Sequence, residues 1–197
     1  MLIHKFNESD LIRQERNPLQ GNYHILVVGT FNPARYDNAA HWFYGRLENE
    51  FWCLLPRMMN QPTLHQIDRN ENPAELANVW KQYCLDKRII IVDIFKEVFT
   101  ELPGYGDKYL QNLIPEQYTP FNFEQAFANA HFDGLLFTWK GELPNTLTTL
   151  KHQYINFFQP QGTHVMHMLT PSMAYAKSRN FKLQQWKQQY EPIQHLL

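Results

Sequence analysis

The sequence lacks the features of secreted and membrane proteins. Its 197 residues include two cysteines, Cys53 and Cys84, too few for a disulfide framework or a four-thiolate cluster. No apolar run reaches the ~20 residues of a membrane-spanning helix. Residues 1–17 mix charges without the apolar centre of a signal peptide. We therefore expect a cytoplasmic protein with two buried, reduced thiols and no contact with a membrane.

Net charge is also nearly absent. Lysine and arginine number 18 against 19 aspartate and glutamate, which gives a formal net charge of -1. This balance argues against a protein that coats nucleic acid, because such proteins bind mainly by neutralising phosphates. The charge is uneven, however: residues 86–133 carry eight acidic and four basic side chains, whereas residues 164–197 carry four basic and one acidic. The basic end is either a solvated face or a place where an anion docks.

Familiar catalytic and metal-binding motifs are missing as well. The sequence has no C-x-x-C pair, no Walker A or G-x-G-x-x-G loop, no G-x-S-x-G elbow and no H-E-x-x-H pair. His164 and His167 are three apart in a predicted strand and therefore face opposite sides. The other histidines are scattered, so we predict no zinc site and no other metal.

Four short apolar runs dominate what is present, at residues 24–29, 88–93, 134–139 and 163–169. The first three are continuous, which predicts strands buried on both faces, as in a parallel sheet. Segments with helical spacing lie between and after them, at residues 48–59, 73–85, 123–130, 147–157 and 178–190. This alternation predicts a single domain over residues 1–197, with a three-layer α/β/α sandwich around a four-stranded, mostly parallel sheet.

Ligands of such sheets bind beyond the carboxyl ends of the strands, so the segments that follow the runs are candidates for a site. The first run leads into residues 29–33 (G-T-F-N-P) and an aromatic stretch at residues 42–52. The aromatic side chains suit either a pocket or the core. Asn49 lies near a helix start, where the alternative to a functional role is an N-cap. Asp93 ends the second run, either as a cap or as a carboxylate aimed into the site.

The fourth run leads into residues 169–178 (L-T-P-S-M-A-Y-A-K-S). The turn at Pro171 and Ser172 offers backbone amides and hydroxyls just before a basic helix start. Groups of this kind can hold a phosphate. For this segment considered alone, a plain loop into a helix is the alternative.

In this order, the motifs resemble the uracil-DNA glycosylase superfamily. The most similar branch contains the hypoxanthine-DNA glycosylases, which are related to the mismatch-specific thymine/uracil glycosylases. Its G-S-(F/M)-P motif is matched by residues 29–31 (G-T-F), and its aromatic stretch ending in N-x-F-W by residues 43–52. Its strand ending in Asp or Asn resembles residues 91–93, and its L-x-F-x-G or L-L-W-G strand resembles residues 135–139. Motif 2, H-P-S-P-L-S or T-S-P-A-N, is matched by residues 169–176. The resemblance covers about residues 23–186.

The chain departs from the family pattern at both ends. Phe31 stands where other branches have the Asp or Asn of motif 1; in the hypoxanthine branch this position is apolar and the later Asn, matched by Asn49, is catalytic. Asn32 comes one residue later than the Asn of the thymine-type G-x-N-P motif and is the second candidate. Thr170 replaces the leading His of motif 2. Two further replacements in motif 2 are Met173 and Tyr175.

The resemblance implies a monofunctional DNA glycosylase of base excision repair. It would flip a deaminated base, such as uracil, hypoxanthine or xanthine, out of the DNA and cleave its N-glycosidic bond without a cofactor. Asn49 or Asn32 would be catalytic, and a monomer is expected. The implied base pocket contains Phe31, Phe43, Tyr44 and Asp93. The implied phosphate and DNA contacts are Thr170, Pro171, Ser172, Ala174, Tyr175 and Lys177, with Ala174 or Tyr175 filling the gap in the base stack.

Two other functions fit the same sequence. The altered motif 2 and the low net charge suit a non-catalytic relative that binds nucleic acid without releasing a base. A different α/β enzyme, acting on a small nucleotide or nucleoside, would have a closed pocket and no affinity for DNA.

Overall fold

The computed structural model describes residues 1–6, 19–35, 38–104, 106–139, 145–173 and 175–196. In chain order the strands are β1 (Leu2–Ile3), β2 (Gln20–Gly29), β3 (Ile89–Asp93), β4 (Phe95–Val98), β5 (Tyr118–Pro120), β6 (Asn129–Phe137) and β7 (His164–His167). The helices are α1 (Phe51–Met58), α2 (Pro73–Asp86), α3 (Phe123–Ala126), α4 (Thr146–Phe158) and α5 (Arg179–Tyr190). In the described part of the chain, no helix has both the length and the hydropathy to span a bilayer.

The central sheet has the strand order β3-β2-β6-β7, and each neighbouring pair is parallel. Its strands are buried where the sequence is apolar; β3, for example, is buried along its whole length. Burial on both faces explains why β2, β3 and β6 contain continuous apolar runs rather than alternating patterns, whereas β7 at the edge of the sheet is mostly half-buried. The predicted fold class, an α/β sandwich around a four-stranded parallel sheet, is confirmed.

Alternate residues of β2 supply two separate cores, one on each face of the sheet. Leu26 and Val28 pack into a core with residues of α4 and of β4. Ile25 and Val27 pack into the other core, with residues of α1, α2 and α5. In this second core the Trp52 ring is stacked between two others, with centroids 5.5 Å from Trp42 and 5.2 Å from Trp80. These stacked rings fix α1 against α2 beside the loop that follows β2.

A small antiparallel sheet in the order β1-β4-β5 was not predicted. Its strands have only two to four residues each, too few to give a pattern in the sequence. The sheet holds the N-terminal residues against the loop after β2: the His4 amide donates to the Lys96 carbonyl over 3.0 Å, and the Lys5 amide donates to the Asn32 carbonyl over 2.7 Å. The N-terminus is thereby brought to the carboxyl ends of the central strands.

Most helix predictions agree with the structure within two or three residues, but the helix predicted over residues 123–130 is wrong at its end. Asn122 caps α3 by accepting from the Gln125 amide, and the helix ends at Ala126. Residues 129 and 130 belong to β6, where Asn129 pairs with Gln20 of β2. Pairing within the central sheet overrides the local helical spacing there.

Candidate active site

A cavity of about 260 Å³ lies at the carboxyl ends of β2 and β3 and is bordered by the loop after β7. We call it the first cavity. It brings together most residues that the sequence singled out, although they come from separate segments of the chain. Those that line it are Phe31, Asn32, Phe43, Tyr44, Asn49, Asp93, Thr170, Pro171 and Ser172. Ala174 lies outside the described residues.

The floor of the first cavity depends on Gly29, the last residue of β2. A Cβ atom built there would overlap Oδ1 of Asp93 and would lie 2.6 Å from the Tyr44 hydroxyl. Glycine is therefore required for the close approach of these two side chains, not for an unusual backbone angle. This close approach is a physical reason for a glycine at the end of β2.

Asp93 is held at the floor by His4, which sequence reasoning missed. Nε2 of His4 is within hydrogen-bonding distance of Oδ2 of Asp93, and both residues are buried. Nδ1 of His4 accepts the Phe6 amide over 2.9 Å, so the proton of the neutral ring lies on Nε2 and is donated to the carboxylate. Asp93 is thus fixed as an acceptor, with Oδ1 beside Gly29.

The Tyr44 hydroxyl completes the floor. It is 3.1 Å from the Thr138 hydroxyl, and the Tyr44 ring is stacked on Phe51 with centroids 4.0 Å apart. Burial, together with the negative charge of Asp93, raises the pKa of Tyr44 well above its ordinary value. The hydroxyl therefore stays neutral and can donate a hydrogen bond. Because one face of the ring already contacts Phe51, at most the other face can stack on a ligand.

Asn49 connects the segment before α1 to the loop after β7. It forms an isolated β-bridge with Ser172, and the amide of the next residue, Glu50, donates to the Pro171 carbonyl over 2.8 Å. Oδ1 of Asn49 accepts the Phe51 amide over 2.9 Å, as in the capping alternative, although the N-cap of α1 is Glu50. Its carbonyl oxygen is therefore engaged, and its NH₂ group is what remains for a ligand.

Asn32, the second catalytic candidate, is also engaged. Its Oδ1 accepts from Nδ2 of Asn38 over 2.7 Å, and the same Asn38 group donates to the Pro33 carbonyl over 2.8 Å. Phe31 lies beside it, 93% buried, with its ring 5.6 Å from that of His4. The loop after β2 is therefore a hydrogen-bonded unit rather than a free segment.

Asp107 is a second carboxylate in the first cavity, and sequence reasoning did not single it out. It begins a 3₁₀ turn (Asp107–Tyr109) and accepts the Thr30 hydroxyl over 2.7 Å. Burial, followed by the negative charge of Asp93, raises the pKa of Asp107, and the Thr30 hydrogen bond acts in the opposite direction. The two carboxylates therefore lie in different environments: one has a histidine donor, the other a hydroxyl.

The loop after β7 is held from below by buried charges. Nζ of Lys182, whose residue is 1% exposed, donates to Oε2 of Glu50 over 2.6 Å and to the Ser172 carbonyl over 2.9 Å. Arg179 donates to the other Glu50 oxygen over 3.0 Å. Two of the four cations of the basic end are thus used inside the protein. Of the predicted contacts, Lys177 and Tyr175 remain exposed.

A second cavity of about 240 Å³ adjoins the first, and Asp107 and Thr170 line both. Tyr175 lines this second cavity rather than the first, together with Trp139 and Asn145. In the described residues no cluster of three or more histidine, cysteine or acidic side chains could hold a metal ion. Cys53 and Cys84 are both buried thiols outside any disulfide, as predicted.

The position of His4 and Asp107 explains why the sequence did not reveal them. Both come from outside the central sheet: His4 directly follows β1, which pairs with β4, and Asp107 begins a turn that comes after β4 in the chain. The one available signal for Asp107 was its place in the segment that follows β3. For His4, which is 89 residues from its partner, there was none.

A scan of family models gives no match to this chain, and a search of the curated proteins gives none either. Among solved structures, the chain resembles a solution NMR structure from Methanosarcina acetivorans described as a "putative Uracil DNA glycosylase". The two share 18% sequence identity and a TM-score of 0.56, over 100% of this chain and 99% of that one. This chain has the same fold. The likeness at this identity concerns the fold alone, so function has to be argued from the site.

Proposed function

We propose that the protein is a DNA glycosylase of the uracil-DNA glycosylase superfamily that removes a deaminated base. The observation that carries the proposal is the first cavity, in which the loop after β2, Asn49, Asp93 and the loop after β7 meet at the carboxyl ends of parallel strands. Pockets at this place in α/β sheets bind ligands. The solved structure that shares this fold is itself described as a "putative Uracil DNA glycosylase", so the fold is one that suits the proposed function.

The flipped base would enter the first cavity between aromatic side chains. Phe31 and Phe43 line it, and stacking on a base contributes about 1–3 kcal/mol. Asp93, held as an acceptor by His4, would accept an N–H donor of the base. Deamination creates such donors: uracil, hypoxanthine and xanthine carry a ring N–H beside a carbonyl. The selected class is therefore bases with a lactam or imide N–H.

In the hydrolysis, the bond between C1′ and the base nitrogen breaks and its electron pair leaves with the base. The NH₂ group of Asn49 would orient the attacking water by donating to its oxygen. An amide is a very weak base, so Asn49 does not take the water proton. Amide and hydroxyl groups at Thr170 and Ser172, which line the cavity, would hold the phosphate next to the flipped nucleotide.

DNA would be bound over a small face. The exposed Lys5 lies near Arg46, since burial and then the charge of Arg46 lower the pKa of Lys5. Arg46 itself lines the first cavity, and Lys177 is exposed beyond the loop after β7. Binding through these few described cations would be weak at physiological salt and would decrease as salt increases.

The test is base release from defined duplexes. The protein is incubated with duplexes that carry uracil, hypoxanthine or xanthine, and abasic sites are detected by cleavage of the strand at them. Wild type is compared with Asn49→Ala and Asn32→Ala. We expect product with at least one base and the larger loss with Asn49→Ala. Absence of product with every base would contradict the proposal, and loss confined to Asn32→Ala would change the catalytic assignment.

A non-catalytic DNA-binding protein is the second candidate. It is favoured by the internal hydrogen bonds of both candidate amides, since Oδ1 of Asn49 and Oδ1 of Asn32 are engaged within the protein. Salt-dependent binding of the same duplexes without any abasic product would support it.

A further inference from the structure

We propose that Asp107 is a catalytic residue, the base that takes the proton of the attacking water. The inference rests on the proposed glycosylase function and adds the group that Asn49 cannot supply. It begins from a chemical requirement: hydrolysis releases a proton from water, and only a group with a free lone pair and a suitable pKa can accept it. Neither amide candidate meets this requirement.

The first cavity contains two carboxylates, and they are not equivalent. Oδ2 of Asp93 is bound by the His4 ring and its Oδ1 lies against Gly29, so that this group is fixed at the floor. Asp107 comes from the 3₁₀ turn Asp107–Tyr109 and borders both cavities. Its Oδ1 accepts from Thr30, and within the described residues its Oδ2 has no hydrogen-bond partner. Asp107 is therefore the carboxylate with an oxygen available to a water molecule.

The surroundings of Asp107 raise the pKa of its carboxyl group, which makes the ionised form a stronger base. Asp93 of β3 and Tyr44 of the loop after β2 interact with it electrostatically, and Thr30 donates to it. Desolvation and the charge of Asp93 disfavour its ionised form, while the Thr30 hydroxyl stabilises that form. A buried carboxylate in a cleft, beside a second charged group and a hydroxyl donor, is a recurring feature of acid–base groups.

Water, the base and Asp107 account for every bond, electron pair and proton in the hydrolysis. The C1′–N bond breaks and its electron pair goes to the base nitrogen. The water oxygen forms a bond to C1′, and the water proton passes to the ionised Asp107 carboxylate. The departing base anion takes a proton from solvent, and Asp107 returns its proton to solvent. No oxidant, reductant or cofactor takes part.

The experiment measures single-turnover base release against pH for wild type, Asp107→Asn, Thr30→Val and the control Asp86→Asn, whose carboxylate is exposed and accepts from Gln82. We expect wild-type activity to fall as the pH decreases through the pKa of Asp107, because protonation removes the base. Asp107→Asn should lose at least about 100-fold in rate while binding the same duplex. Thr30→Val should shift the fall in activity to higher pH, because the ionised form loses a donor. Asp86→Asn should match wild type.

A stability measurement separates this role from a structural one. Because the folded-state pKa of Asp107 is raised, the folded state binds the proton more tightly than the unfolded state, and this group reduces stability as the pH increases. Asp107→Asn should therefore melt at a higher temperature than wild type at high pH, and the difference should become smaller as the pH decreases through the pKa of Asp107. A structural carboxylate would give the opposite sign.

The outcomes distinguish the two proposals. Wild-type release with unchanged rates in Asp107→Asn, or with an unshifted pH profile in Thr30→Val, would overturn the role of Asp107 and leave the glycosylase function standing. No release by wild type would overturn both.

Discussion

The floor and the rim of the first cavity are built in opposite ways. At the floor, Gly29, Asp93 and His4 are buried and fixed by packing and hydrogen bonds. At the rim, the loop after β7 exposes Met173 and Tyr175, 47% and 39% respectively, above a buried ion pair. A rigid floor suits discrimination between similar bases, whereas an exposed rim suits contact with DNA of any sequence. Four substitutions test this division.

The largest effect is expected beneath the rim. Glu50→Gln removes the charge that pairs with the buried Lys182 and with Arg179. Breaking one side of a buried ion pair leaves an uncompensated charge, so the free energy of unfolding should decrease by about 3–5 kcal/mol. Chemical denaturation measures it. The control, Glu75→Gln on the exposed face of α2, should stay within about 0.5 kcal/mol of wild type. A similarly small loss in Glu50→Gln would show that the loop does not depend on this pair.

Gly29→Ala should damage the floor. The added methyl would overlap Asp93 and press on Tyr44, and overpacking of this kind costs about 1–3 kcal/mol. Base release should fall more than stability suggests, because Asp93 has to move. Gly106→Ala is the matched control for unfolding, since its Cβ would lie 3.8 Å from the nearest atom, on the Lys108 side chain. Equal melting temperatures for the two variants would show that Gly29 is not closely packed against Asp93 and Tyr44.

His4→Phe should alter the selection of the base, and it should also reduce stability because the buried Asp93 carboxylate loses its donor. Phenylalanine keeps an aromatic ring beside Phe31 but cannot donate to Asp93, and a hydrogen bond to a charged group contributes about 1.5–3 kcal/mol. We expect kcat/KM for the preferred base to fall about 10-fold or more. His4→Gln, which can place an N–H near the Nε2 position, should recover most of it. The measurement is kcat/KM for uracil divided by kcat/KM for hypoxanthine. If this quotient is the same in wild type, His4→Phe and His4→Gln, His4 has no role in selection.

The smallest effect is expected at the rim. Lys177→Ala should leave the free energy of unfolding within about 0.5 kcal/mol of wild type. Binding of duplex DNA should weaken, with a salt dependence reduced by about one unit in slope. Lys187→Ala, at a lysine that contacts Asn60, is the control and should not change the slope. If the salt dependence of DNA binding has the same slope in both variants, Lys177 does not contact DNA.

The sequence was informative where burial is continuous. Three of the central strands, β2, β3 and β6, could be predicted because both of their faces are covered where the sequence is apolar, whereas β7 is mostly half-buried. Asp93 and Asn49 could be selected because they lie at the end of a strand and in a loop beside the central sheet. The small sheet could not be predicted, since two to four residues give no period. His4 and Asp107 depend on that sheet and on a short turn, so their place in the site follows from tertiary pairing alone. The basic end likewise reads as a binding face until its lysine at position 182 is found buried.

The stacked tryptophans provide a spectroscopic signal from the site. Trp52 is stacked between Trp42 and Trp80, and its indole N–H donates to the Phe43 carbonyl over 3.0 Å, so the stack is tied to a wall of the first cavity. Indole rings this close share their excited states. Their fluorescence and near-ultraviolet circular dichroism should therefore respond when a base stacks on Phe43, which gives a measure of base entry in unlabelled protein before any bond is broken.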